Sequence, residues 1–375
     1  MTTSFFQEEL IPPDTNISFL PRLNFSFDDA VKEVERHLSN DRMFSRVTEV
    51  ILIIIYTIII LTGIFCNVVI AGIIIRKTTF GRTKYPFVIN LNVSDLILCL
   101  FCIPFTLIAL LRRNWILGEN MCKLIPFVQG VTVFLSSATV SVIAVDRLKK
   151  VLNAFPSGRK RQSKEIIISI ISVWIVSLIF SCPVLYAQTV ETVGLPGIYK
   201  YEKCIEKWPW NNAKGIYTVI ILLVQFLIPA IVLFTAHLKI ESHLNYVMNR
   251  CNKNTAPKFG EDRVRKELLR NRRATIVLVT ITSVFGLTWL PWNIFSLIAD
   301  FYPKSMSANN LYMSFVVCHM IAMTSATSNP ILYGWLNSNI RKEIVAVKDA
   351  IAAALSGRKW RNQTETEERM CDTKL

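Results

Sequence analysis

Seven stretches of this chain carry no Lys, Arg, Asp or Glu: 50–75, 96–111, 124–145, 166–190, 216–238, 274–299 and 305–340. The second extends back to Tyr85, with Asp95 as its one charge. A helix needs about 20 apolar residues to cross the hydrocarbon core of a bilayer, and each stretch, the second so extended, meets that length. A buried soluble core fails on both length and number. The apolar fraction, 52%, and the mean hydropathy, +0.39, agree, since soluble domains hold less apolar residue than this. The predicted fold class is all-α membrane: a seven-transmembrane helix bundle over 46–336. Residues 1–45 form a polar tail, 337–355 a short amphipathic helix, and 356–375 a polar tail predicted to be disordered.

The charge pattern orients the bundle. The chain carries +15 net, and the excess sits on one set of connections. Arg76, Lys77, Arg82 and Lys84 join spans one and two, and Arg147 to Lys164 joins three and four. The segment 239–273 and the stretch Arg341 to Arg361 are basic as well. Positive segments stay cytoplasmic, so the N-terminus is expected outside. The basic loops meet the anionic inner leaflet of the lipid bilayer, and nucleic acid is not an expected partner. Residues 1–45 lack an apolar signal core, so the first span is expected to direct insertion. Asn16 and Asn24 head glycosylation sequons in the outer tail. The sequons at Asn92 and Asn362 fall within span two and in the cytoplasm, where they stay unmodified. Of nine cysteines, Cys122 and Cys204 alone fall in clearly outer positions, where an oxidising exterior favours joining them. No metal-ligand spacing or Gly-rich phosphate loop occurs.

Polar residues inside apolar spans each ask for a reason. Asp95 lies near mid-span, at a depth shared with Asn67, Ser136 and Asn329. Two readings stand: a pocket for a cation such as Na⁺, or a protonated Asp95 satisfied by hydrogen bonds. In Asn329-Pro330-Ile-Leu-Tyr333 the proline removes a backbone bond and invites a kink. A kink carrying polar groups can hold two packings, as a switch requires. Asp146-Arg147 ends span three, either as interfacial anchors or with Arg147 held inward by Asp146. Phe285 and Trp289, one helical turn apart, precede Pro291 in span six. Pro104, Pro183 and Pro229 invite kinks in spans two, four and five. Gln129 and His319 lie about two turns inside the outer ends of spans three and seven, and Asp300 ends span six. A cavity between helices is the usual place for a ligand. Asp300 at its rim is either a solvated helix-end acid or an attractor for a cation.

Together these motifs resemble the rhodopsin-like G-protein-coupled receptors over about 46–350. Carrying the resemblance are Asn67, Leu91-Asn-Val-Ser-Asp95, Trp115 before Cys122, Asp146-Arg147 and Trp174. Pro229, Phe285 to Pro291, and Asn329 to Tyr333 complete it. It implies a sodium site at Asp95, Ser136 and Asn329, no other cofactor, and roles for Arg147 and Tyr333 in G-protein coupling. Within the family the chain is most similar to neuropeptide Y and neuropeptide F receptors. That likeness rests on Cys102-Ile-Pro-Phe-Thr106, the run Trp115 to Gln129, Cys318-His-Met-Ile-Ala-Met323 and the run Tyr333 to Lys342. It implies a peptide pocket of Gln129, Asp300 and His319 with Thr106 and Ser296. It implies further a ligand ending in Arg-Phe-amide or Arg-Tyr-amide, with its arginine on Asp300, and a Gi/o protein as partner; Thr364, Thr366 and Thr373 in the tail offer sites for phosphorylation and arrestin binding. Four residues depart from the pattern: Leu148 after Asp-Arg, His237 and Ala109 at positions of tyrosine, and Ser137 at that of a bulkier apolar residue.

Other functions fit less well. A channel or transporter needs a polar path through the bilayer or inverted repeats, and neither is visible. An amine receptor would carry an aspartate at Gln129. A light receptor would need a lysine in span seven, where 305–340 has none. Enzymatic chemistry is not expected.

Overall fold

The computed structural model describes residues 42–76, 86–152, 163–195, 199–210, 212–253, 261–302, 307–336 and 338–355. Asn16, Asn24 and the tail 356–375 lie outside them. Seven helices in it are long and apolar enough to cross a membrane. Helix α1 is Arg46–Arg76, α2 is Pro86–Leu111, α3 is Gly118–Leu152 and α4 is Ser163–Ala187. Helix α5 comprises Ala213–Leu222, a π-helical turn Leu223–Leu227 and Ile228–Lys253. Helix α6 is Glu261–Phe301, and α7 is Ala308–Met323 followed by Ser325–Leu336. An eighth helix, α8, runs Ser338–Leu355.

The prolines act through local geometry. Pro104 and Pro229 each stand just after a π-helical turn, Leu98–Cys102 in α2 and Leu223–Leu227 in α5. Proline donates no backbone bond and crowds the preceding turn; a one-residue widening upstream absorbs that. In α5 the turn has a partner, because the Ser137 hydroxyl donates to the Gln225 carbonyl at 2.5 Å. The small Ser137 side chain lets α3 and α5 come close enough for this bond. Helix α7 breaks at Thr324, between His319 and Asn329.

The two largest buried clusters among the described residues lie toward opposite ends of the bundle. One, at the end where α3 begins, contains Tyr56, Leu98, Cys102, Trp289, Trp292 and Phe315. The other, at the end where α3 finishes, contains Ile74, Leu91, Val140, Ile281, Tyr333 and Ile340. Bilayer-facing residues such as Ile54, Ile58, Leu61 and Phe65 are exposed from the protein. Lipid is as apolar as they are, so close packing and polar links between helices hold the bundle together. Gly63 shows how close α1 and α2 come: a Cβ there would lie 2.5 Å from the Cys99 sulfur.

One element departs from expectation. The fourth apolar stretch, 166–190, ends as helix at Ala187. Gln188–Leu195 (β1) and Tyr199–Glu206 (β2) form an antiparallel hairpin, in register from Gln188↔Glu206 to Leu195↔Tyr199. Alternating Thr, Val and Tyr favour a strand once the chain leaves the bilayer. Cys204 on β2 is bonded to Cys122 in the second turn of α3, with their Cα atoms 5.6 Å apart. The Trp115 amide donates to the Glu202 carbonyl at 2.8 Å. These links fix the hairpin over one end of the bundle. At the other end, Arg341, Lys342 and Lys348 of α8 are exposed while Ile340 is buried.

Candidate functional site

Beneath the hairpin lies a cavity of about 140 Å³ between α2, α3, α5, α6 and α7. Its lining includes Thr106, Gln129, Trp289, Trp292, Phe315 and His319. His319 is held on both nitrogens, by the Tyr56 hydroxyl at Nδ1 (2.8 Å) and the Gln129 amide nitrogen at Nε2 (3.4 Å). An amide nitrogen only donates. His319 Nε2 therefore accepts from Gln129, and Nδ1–H donates to the Tyr56 oxygen. Trp292 meets the imidazole edge-on and Phe315 stacks on it, with centroids 5.7 and 5.8 Å away. The ring is thus fixed in orientation, and Gln129 is turned to the cavity. The Thr106 and Ser296 hydroxyls are buried with no hydrogen-bond partner among the described residues. Thr106 faces the cavity and Ser296 is not in its lining. Ala109 lines it too, and its small side chain leaves room that a tyrosine would fill.

Asp300 already attracts a cation, one of the protein's own. It is neither a solvated acid nor a bare rim carboxylate. Its side chain is 5% exposed, and Lys214 Nζ lies 3.0 Å from its Oδ1. The Thr218 hydroxyl donates to its Oδ2 at 2.5 Å. The same ammonium lies 3.4 Å from Glu206 Oε2. Glu206 also accepts from the Trp208 indole and the Gln188 amide, each at 3.2 Å. Hairpin, α5 and α6 thus meet in one buried acid–base cluster. Sequence reasoning missed Lys214 and Glu206 because both lie outside the apolar stretches, where charge is ordinary. A hint lay in their flanking of α5 at the depth where Asp300 ends α6.

Mid-bundle, the four predicted polar residues come together. Asp95, Asn67, Ser136 and Asn329 are all 5% exposed or less. The Asn329 amide donates to Asp95 Oδ2 at 3.1 Å, and Ser136 and Ser94 share a bond of 3.0 Å. The Asn67 amide nitrogen donates to the Ala326 and Gly63 carbonyls at 2.8 and 2.9 Å. Those bonds fix the amide orientations. They leave Oδ1 of Asn67, Asn92 and Asn329 buried with no hydrogen-bond partner among the described residues. The Asp95 carboxylate, which Asn329 bonds, and the unpartnered amide oxygens of Asn67 and Asn329 are oxygen donors of the type a hard cation takes. The small Ser136 and Ser94 leave the site polar and close to that carboxylate.

Toward the far end, the Trp289 indole donates to Ser325 at 3.1 Å, tying α6 to α7 at its break. Phe285 packs on Trp289 at 6.1 Å, with Pro291 in the next turn. Pro330 and Tyr333 are buried in the second half of α7. The Asp146 carboxylate takes Lys150, one turn on, at 2.5 Å, a partner that the i, i+4 spacing of a helix puts on the same face. Asp146 stays buried while Arg147 is half-buried beside it. His237 lies 3.7 Å from Glu241.

The family model for the 7 transmembrane receptor (rhodopsin family) matches residues 66–333. The chain is 33% identical over 303 residues to neuropeptide Y receptor type 6 of Mus musculus, covering 79% of each protein. It is 32% identical over 321 residues to the neuropeptide F receptor of Drosophila melanogaster, covering 83% of this chain and 64% of that one. It is 30% identical over 327 residues to neuropeptide Y receptor type 2 of Gallus gallus, covering 86% and 81%.

Proposed function

Since the chain belongs to the rhodopsin family of seven-transmembrane receptors, we propose that it is a receptor for an amidated neuropeptide of the Y or F type. It is a multi-pass plasma-membrane protein and not an enzyme. In this reading the hairpin end faces outward and the α8 end faces the cytoplasm, where a Gi/o protein and arrestin engage it. The observation that carries the reading is the cavity itself. Gln129 is aimed into it by a locked His319, aromatic rings of α6 and α7 wall it, and Gln188 of its lining bonds Glu206 of the acid–base cluster. A peptide ending in Arg-Phe-amide or Arg-Tyr-amide supplies matching groups: an aromatic ring, an amide for Gln129 and Thr106, and a guanidinium for Asp300.

The coupling runs inward along the contacts. A ring entering beside Trp292 presses on Trp289, whose indole holds Ser325 at the break of α7. Shifting that bond moves the segment that carries Asn329, Pro330 and Tyr333. Asp95 ties the same segment to α2 through Asn329. The mid-bundle oxygens fit a sodium ion held by Asp95, Ser136 and Asn329 with Asn67 nearby; when bound it supplies a positive charge that neutralises the carboxylate. Two packings of a kinked helix, biased by ligand at one end and G protein at the other, constitute the switch.

The test is a panel of amidated peptides and their free-acid counterparts on cells displaying the receptor. The expected result is a fall in cyclic AMP with Arg-Phe-amide or Arg-Tyr-amide peptides and none with the free acids. Silence across the panel at verified surface expression overturns the ligand class. A response without inhibition of cyclic AMP, but with another G protein, overturns the Gi/o part alone.

A further inference from the structure

Asp300 is proposed above as the seat of a ligand guanidinium, yet the structure already seats a cation there. The Lys214 ammonium lies 3.0 Å from Asp300 and 3.4 Å from Glu206, and the three side chains are 13%, 5% and 2% exposed. Both oxygens of Asp300 are engaged, one by Lys214 and one by Thr218. A guanidinium that binds a carboxylate in the two-pronged manner needs both oxygens along one edge. The cluster as it stands does not offer that edge.

We propose that Lys214 is a built-in counter-ion that a ligand cation must displace from Asp300, and that it thereby sets the receptor's sensitivity to guanidinium ligands. This rests on the reading of Asp300 as the arginine partner. The chemistry of the three groups makes the exchange feasible. Glu206 is anchored by the Trp208 indole and the Gln188 amide, so it stays in place when Asp300 changes partner. Lysine is a point charge on a flexible stem with rotatable donors. It can release Asp300 and keep Glu206 without leaving either charge unpaired. A guanidinium is more weakly hydrated and makes two parallel bonds, so it outcompetes the single ammonium contact. Asp300 and Glu206 both bond the Lys214 ammonium, and an incoming cation at Asp300 leaves that ammonium to Glu206. A neutral or arginine-free ligand gains nothing by the exchange, and the lysine excludes it from that subsite.

The exchange is tested on the full-length receptor with two variants. The K214Q/E206Q pair keeps the cluster's net charge and frees Asp300. K214R puts a stronger forked cation in the same place. The first readout is thermal unfolding of purified receptor with and without arginine amide. Stabilisation by arginine amide is expected to be larger in K214Q/E206Q than in wild type, absent when D300N is added, and smaller in K214R. The second readout is potency in cells of an arginine-containing amidated peptide and its citrulline analogue. The arginine peptide is expected to gain about tenfold in K214Q/E206Q and to lose several-fold in K214R, while the citrulline analogue does not move. Equal shifts for both peptides would mean that Lys214 only braces the fold, and would overturn the proposal. So would equal arginine-amide stabilisation of all forms. A wild type silent to every amidated peptide strikes the ligand reading instead, and the arginine-amide experiment still decides on Lys214. If the double variant fails to reach the surface, K214R decides by its loss.

Discussion

His319 gives the sharpest energetic test of the cavity. Replacing it with Phe retains a ring against Trp292 and Phe315, so the aromatic contacts at 5.7 and 5.8 Å survive in kind. The change removes both polar links. On the Gln129 side the bond is long, 3.4 Å, and the amide faces the cavity, where water replaces it at little cost. On the Tyr56 side the loss is different. Tyr56 is fully buried and its hydroxyl lies 2.8 Å from His319 Nδ1. Stranding a buried hydroxyl costs about 1–3 kcal/mol, whereas removing both partners together is close to neutral. His319→Phe is therefore expected to destabilise by about 1–3 kcal/mol. Tyr56→Phe strands the imidazole N–H instead and is expected to cost a similar amount. The double variant recovers most of either loss. The assay is detergent-mediated unfolding of purified receptor for the four members of the cycle, with a coupling of about 1–3 kcal/mol expected. Simple additivity of the two losses would refute the Tyr56–His319 bond.

Asp300→Asn is expected to lower the potency of arginine-containing peptides by about 2 kcal/mol, roughly thirtyfold, and to spare arginine-free analogues; equal loss for both removes Asp300 from ligand binding. Gly63→Ala is expected to cost about 1–3 kcal/mol in unfolding assays, since its Cβ would meet the Cys99 sulfur at 2.5 Å; Cys99→Ala in the same chain should return most of it. Exchanging Na⁺ for a bulky organic cation is expected to lower the melting temperature of the wild type and to leave Asp95→Asn unmoved, by linkage to the bound ion.

Legibility in the sequence depended on the physical quantity that each signal measures. The seven helices were legible because a bilayer imposes a length on every apolar stretch. Asp95, Asn67, Ser136 and Asn329 were legible because polar atoms at that depth must find one another. The hairpin was not, since β1 begins within an apolar stretch, at Gln188, and only the bilayer boundary separates helix from strand there. The π-helical turns were not, since proline predicts irregularity but not its form. The acid–base cluster was not, since charge near a helix end carries no surprise in a sequence; only the fold brings Glu206, Lys214 and Asp300 within one another's reach. Asp146 with Lys150 was missed because adjacency in sequence was weighed above the i, i+4 geometry of a helix.

The two departures from the family pattern at the α8 end gain a physical meaning from the same bookkeeping of buried polar atoms. The Tyr333 hydroxyl and His237 Nδ1 are both buried with no hydrogen-bond partner among the described residues. Each such atom disfavours its packing by about 1–3 kcal/mol. His237 leans on Glu241 at 3.7 Å through Nε2, which does nothing for its Nδ1. Leu148 next to Arg147 packs into the core with Val140 and Ile143 and offers no hydroxyl of its own. Any second packing that gives Tyr333 and His237 partners is therefore favoured by these two atoms, and the packing described here must be held by contacts elsewhere. Those contacts are the Trp289–Ser325 and Asn329–Asp95 bonds, and Trp289 itself lines the outer cavity. In the function proposed above, a ligand that disturbs Trp289 would remove part of the restraint, and the unpartnered atoms of Tyr333 and His237 would favour the second packing.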